Sequence, residues 1–128
     1  MNYLLVFLGG GVGAVCRYLV TTAVGTRFGL NFPLGTFAVN IFGSFLMGFI
    51  MGMLLFTAKE WGQIVSEKIR LLLTVGFLGG FTTFSSFSLE TLTLIEGGSN
   101  FLAIMNVLLS VMLGLLSAWL GVSLARII

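Results

Sequence analysis

Few side chains in this 128-residue chain can do chemistry on a solute, and most of them are neutral hydrogen-bond donors set in apolar sequence. Asn40 is an amide inside such a stretch, and its NH₂ can donate two hydrogen bonds to an anion. Steps of four from Asn40 give Ser44, Gly48 and Gly52, a polar-to-small stripe that is either a helix seam or one wall of a narrow aqueous route. Ser85 and Ser88 form a second hydroxyl row beside Phe84 and Phe87, which share a helix face with Phe81 one turn earlier. Spacing alone fits those phenyls to a core or a lipid-facing stripe. Asn106, Ser110, Gly114, Ser117 and Gly121 make a third face of polar and small residues. Two charges lie among the apolar segments. Arg17 either holds positive potential near an anion route or snorkels toward the end of its helix. Glu90 either sits in a water-filled vestibule, relaying protons or moving with gating, or lies near the interface capped by a partner chain. With no His, no Asp and only Cys16 as a thiol, the chain can build neither an imidazole or thiolate metal site nor a hydrolytic or redox centre.

The elements that must position these groups are membrane helices. The chain is 58% apolar and 8% charged with a mean hydropathy of +1.16, which places it among integral membrane proteins. Four apolar segments of bilayer-spanning length, roughly 3–26, 34–57, 69–95 and 101–125, predict an all-α fold in a single four-helix transmembrane domain over 1–128. No Lys or Arg precedes the first segment, so it is expected to be a retained helix and not a cleaved leader. Its Gly9, Gly10, Gly11 and Gly13 suggest close packing. Arg27 to Pro33 is expected to be a short connection, with Pro33 in the first turn of the second helix. Residues 58–70, with Lys59, Glu60, Glu67, Lys68 and Arg70, are expected to form a solvated interfacial loop. Both termini then share that side, and the resulting cation bias is small, so it fixes orientation only weakly. The net charge of +2 rests on six cations, which leaves no nucleic-acid-binding face.

The third segment is interrupted. Gly76 to Glu90 places Gly79 and Gly80 and then a run of Thr, Ser and Phe inside a membrane-length stretch. Freed backbone groups at that depth survive only when buried in protein or lining a polar cavity. The pattern predicts two half-helices broken near Gly79–Thr83, with free carbonyls on one end and free N–H groups on the other. A glycine-rich packing interface is the competing reading.

Gly-Gly-Phe-Thr-Thr-Phe-Ser-Ser-Phe-Ser at 79–88 resembles the third-helix signature of the Fluc (CrcB) family of small fluoride channels. The likeness extends to Gly-Gly-Gly-Val-Gly-Ala-Val-Cys-Arg-Tyr at 9–18, Pro-Leu-Gly-Thr-Phe-Ala-Val-Asn at 33–40, and Asn106 followed by Ser110. Four such motifs occur in order, and the likeness extends over nearly the whole chain. The resemblance implies a multi-pass protein of the bacterial inner membrane that exports fluoride passively, as an antiparallel, dual-topology homodimer with two pores. It implies an anion pathway through Asn40, Phe84, Phe87, Ser85, Ser88 and Ser110, the phenyls presenting their positive edges. Arg17 and Glu90 are candidates for a vestibule or gating role. It also implies a structural sodium ion at the dimer centre, held by the main-chain carbonyls of Gly79 and Thr82 from each chain. The family generally carries another hydroxyl where this chain has Gly114. The alternative function is a proton-coupled four-helix exporter, but such a protein is expected to carry an acid in its first span, and this span has none.

Overall fold

The computed structural model describes residues 1–28 and 32–128, and among them four helical spans are long and apolar enough to cross a membrane. Helix α1 (Asn2–Phe28) and helix α2 (Leu34–Trp61) are continuous. The third span is composite: α3 (Gln63–Ile69), a π-helical segment (Arg70–Leu78), one turn of α-helix, α4 (Gly79–Phe81), and then α5 (Phe84–Glu96). Helix α6 (Asn100–Ile127) is the fourth. The described residues form helices and no strand, and the third span breaks at Thr82–Thr83, where both residues are extended.

Several hydroxyl residues inside these spans donate back to their own helix. Thr21 donates to the Arg17 carbonyl (2.9 Å), Thr91 to that of Phe87 (2.7 Å) and Thr93 to that of Leu89 (2.9 Å), which removes the cost of an unpaired O–H in hydrocarbon.

The 58–70 stretch is helical and not a loop. Its charged residues are good helix formers, and Glu67 pairs with Arg70 at 2.7 Å in an i,i+3 arrangement. Only Gly62 interrupts it, turning at φ 82°, ψ 157°, a conformation open to glycine. Of the connection expected over 27–33, residues 29–31 lie outside the described residues. Pro33 occupies the N-cap position of α2, one residue before its first turn.

Packing is governed by glycine. α1 lies against the π-helical segment and α2 against α6. A Cβ on Gly9 would strike the Leu72 carbonyl, and one on Gly13 the Phe77 carbonyl. In the other pair a Cβ on Gly48 would meet the Ala118 carbonyl and one on Gly121 the Phe45 carbonyl. Backbones this close gain the dispersion contact that drives helix association where lipid is as apolar as the side chains. Gly11 has no such neighbour. The buried core of Val39, Leu78 and Phe81 sits beside the break, with Phe77 stacked on Phe81 at 5.7 Å between ring centroids.

Candidate functional site

The site is assembled at the break. Thr82 (φ −85°, ψ 161°) and Thr83 (φ −152°, ψ 121°) leave helical geometry, so the carbonyls before them and the N–H groups after them lose their usual i→i−4 partners. Two neighbouring helices supply replacements. Asn40 of α2 accepts the Thr83 N–H on Oδ1 (2.8 Å) and donates from Nδ2 to the Thr83 carbonyl (3.0 Å). Arg17 of α1 donates from Nε to the Gly80 carbonyl (3.0 Å). Thr83 then caps α5, its hydroxyl accepting the Ser86 N–H at 3.2 Å. The Thr83 N–H would bond the Gly79 carbonyl in an unbroken helix, so its diversion to Asn40 frees that carbonyl on an exposed residue.

A cavity of about 360 Å³ opens beside these groups, and Asn40, Ser44, Thr82, Thr83, Phe84, Phe87 and Ser110 all line it. The structure thus brings together four of the pathway residues expected from sequence: Asn40, Phe84, Phe87 and Ser110. Phe84 and Phe87 lie 5.8 Å apart between centroids, tilted 46° to one another. Ser85 and Ser88 do not line the cavity. Both are exposed on the single chain, and the Ser88 hydroxyl donates to the Phe84 carbonyl at 2.9 Å. The stripe headed by Asn40 divides in function along α2: Asn40 and Ser44 reach the cavity, whereas Gly48 and Gly52 pack on α6.

Arg17 and Glu90 line a second, smaller cavity of about 210 Å³ together with Thr36, Thr83 and Ser86. Arg17 is anchored to the break and does not run to the end of α1. Glu90 accepts the Thr36 hydroxyl on Oε1 at 2.7 Å, while its Oε2 is buried without a hydrogen-bond partner among the described residues. Thr36 was not singled out from sequence, though it lies four residues before Asn40 on the same stripe. Ser86 and Thr91 were missed as well. Thr91 accepts the amide of Asn106 (2.9 Å), and Asn106, 1% exposed, accepts the Ser110 hydroxyl (3.3 Å), so α5 and the polar face of α6 are joined by a short chain of hydrogen bonds.

The break thus gathers neutral donors and two phenyl rings around one cavity, and places one cation in a second cavity that Thr83 also lines. Known proteins are similar to this sequence over most or all of its length. The family model described as "CrcB-like protein, Camphor Resistance (CrcB)" matches residues 4–122. A "Fluoride-specific ion channel FluC" of Coxiella burnetii is 52% identical over 126 residues, covering 98% of each chain. Proteins with the same description from Magnetococcus marinus and Geobacter sulfurreducens are 48% and 50% identical, covering 100% of each chain in the first case and 91% and 90% in the second. With the family model spanning the break, both cavities and nearly all of the four membrane helices, the chain belongs to the CrcB family.

Proposed function

We propose that the chain forms a fluoride-selective channel in a bacterial cell membrane, carrying the ion passively outward and protecting the cell from fluoride. The observation that carries this reading is the single cavity at the break, where Asn40, Phe84, Phe87 and Ser110 converge. A small hydrated anion is costly to bury, the idealised Born cost being of order 20 kcal/mol. Each hydrogen bond to a charged group returns only about 1.5–3 kcal/mol. Amide, hydroxyl and ring-edge contacts therefore work with residual water, and with positive charge nearby. Arg17 is one source, three helices meeting around it.

The channel is an antiparallel homodimer with two pores. A lone chain leaves Phe84 80% exposed and also exposes Gly79, Ser85 and Ser88. In hydrocarbon the freed Gly79 carbonyl would lack a polar partner, and a second copy facing the break supplies cover. Ser85 and Ser88 then complete the anion pathway at the face between chains. The Gly79 and Thr82 carbonyls fit a sodium ion: both belong to residues at the break, one freed by the Thr83–Asn40 bond and the other turned by an extended ψ, and hard oxygen donors suit an alkali cation. When bound, that ion supplies fixed positive charge at the centre of the dimer. This chain's residues hold the carbonyls in place.

Purified protein in liposomes should release fluoride quickly down its gradient and retain chloride. Proton-driven exchange of an organic cation, without fluoride flux, would replace this reading with the exporter.

A further inference from the structure

We infer that Asn40 is the positioning residue that keeps the third span broken, a role separate from any contact it makes with an anion. The inference rests on the two bonds Asn40 makes to one residue, accepting from the Thr83 N–H at 2.8 Å and donating to the Thr83 carbonyl at 3.0 Å. In an α-helix the N–H and C=O of a residue point opposite ways along the axis, so one side chain cannot take both. In an extended residue they point to the same side, as they do on the edge of a strand. A carboxamide carries the same donor and acceptor as a peptide group, so Asn40 docks on Thr83 like one rung of an antiparallel ladder. It therefore recognises the extended form and not the helical one. Its base is rigid: Val39 beside it is fully buried, and Gly43, one turn on, is packed against the Thr82 methyl group. Two discrete arrangements compete for the Thr83 N–H, the Asn40 oxygen that opens the span and the Gly79 carbonyl that would close it. One Nδ2 hydrogen is left over in the cavity shared with Phe84 and Ser110.

The test is carbon chemical shifts of Thr82 and Thr83 in lipid-reconstituted protein, with sodium titration of dimer persistence as the second readout. Asn40→Ala should move the Thr83 shifts from extended to helical values. It should also raise the sodium concentration needed to hold the dimer roughly ten-fold, as expected for loss of two hydrogen bonds. Asn40→Asp, studied at a pH where the acid is protonated, offers a carbonyl and an O–H to Thr83 but no spare hydrogen. It should keep the extended shifts and the wild-type sodium requirement while losing flux, and it decides the question even where the alanine variant fails to assemble. Extended shifts and an unchanged sodium requirement in Asn40→Ala, or helical shifts in the protonated Asn40→Asp, would overturn the assignment. Wild-type fluoride flux, measured alongside, tests the channel itself independently.

Discussion

Arg17 and Gly80 meet at 3.0 Å, the guanidinium Nε of the first span donating to a carbonyl in the last turn before the break in the third. An arginine this deep in an apolar helix is costly unless it faces protein or water, and here it bonds the backbone and lines the small cavity that holds Glu90. Charge and position can be separated at this residue. Arg17→Lys keeps the cation but replaces a planar fork with a flexible, more strongly hydrated ammonium. If the bond to Gly80 matters, lysine will not restore function. The expected result is a dimer weakened by about 1.5–3 kcal/mol, the worth of one charge-assisted bond, with flux reduced in proportion to the assembled fraction. Wild-type flux and dimer lifetime in Arg17→Lys would assign the residue to electrostatics alone.

The glycine seams make a second prediction. Gly48→Ala and Gly121→Ala each push a methyl group into a backbone carbonyl of the facing helix, where nothing can rotate away. Overpacking of this kind costs about 1–3 kcal/mol. Gly25 sits on α1 with open space where its Cβ would be, so Gly25→Ala should be neutral or mildly stabilising. Unfolding in a graded denaturant, scored by loss of helicity, should rank the three variants in that order. Equal stability of all three would remove the seam as a source of fold energy.

How much of this was legible in the sequence differs from one residue to the next. The break was, because glycines and hydroxyls inside a membrane span demand explanation. Its placement was less so: Gly79 and Gly80 remain helical, and the chain leaves the helix at Thr82 and Thr83 because Asn40, more than forty positions earlier, takes the Thr83 backbone groups. The π-helical stretch Arg70–Leu78 gave no local signal, since it lies against Gly9 and Gly13 of another helix. Residues 58–70 were misjudged because charge marks an interface without saying whether the backbone there is coiled or wound. Thr36 needed only a count backward along the stripe already traced forward from Asn40.

Thr36 and Glu90 give a third prediction. The Thr36 hydroxyl is the hydrogen-bond donor that reaches the Glu90 carboxyl among the described residues, and Thr36 is 5% exposed. Thr36→Val keeps the shape and removes the donor, leaving a second carboxyl oxygen unpaired at a cost of about 1–3 kcal/mol. Thr36→Ser should behave as wild type. Adding Glu90→Gln to Thr36→Val should recover part of the loss, because a neutral amide oxygen costs less to leave without that donor than a carboxylate oxygen does. A double-mutant cycle on dimer stability measures the coupling, and additive effects would mean that the two side chains do not depend on one another.

The fourth prediction concerns Phe84 and Phe87, where a pathway role and a packing role give opposite results. Both rings line the cavity at the break, tilted 46° to each other, and Phe84 is 80% exposed on the single chain. A ring that buries so little has little packing to lose within its own chain. Replacing either by Ile keeps apolar bulk but removes the positive ring edge, so flux per assembled dimer should fall sharply while within-chain stability changes by less than about 1.5 kcal/mol. Replacement by Tyr retains an aromatic edge and should preserve part of the flux. A packing role predicts the reverse, with modest loss of stability and normal flux for every dimer that forms. Fluoride efflux normalised to correctly assembled dimer separates the two, and near-normal efflux in both isoleucine variants would exclude the phenyls from the anion pathway.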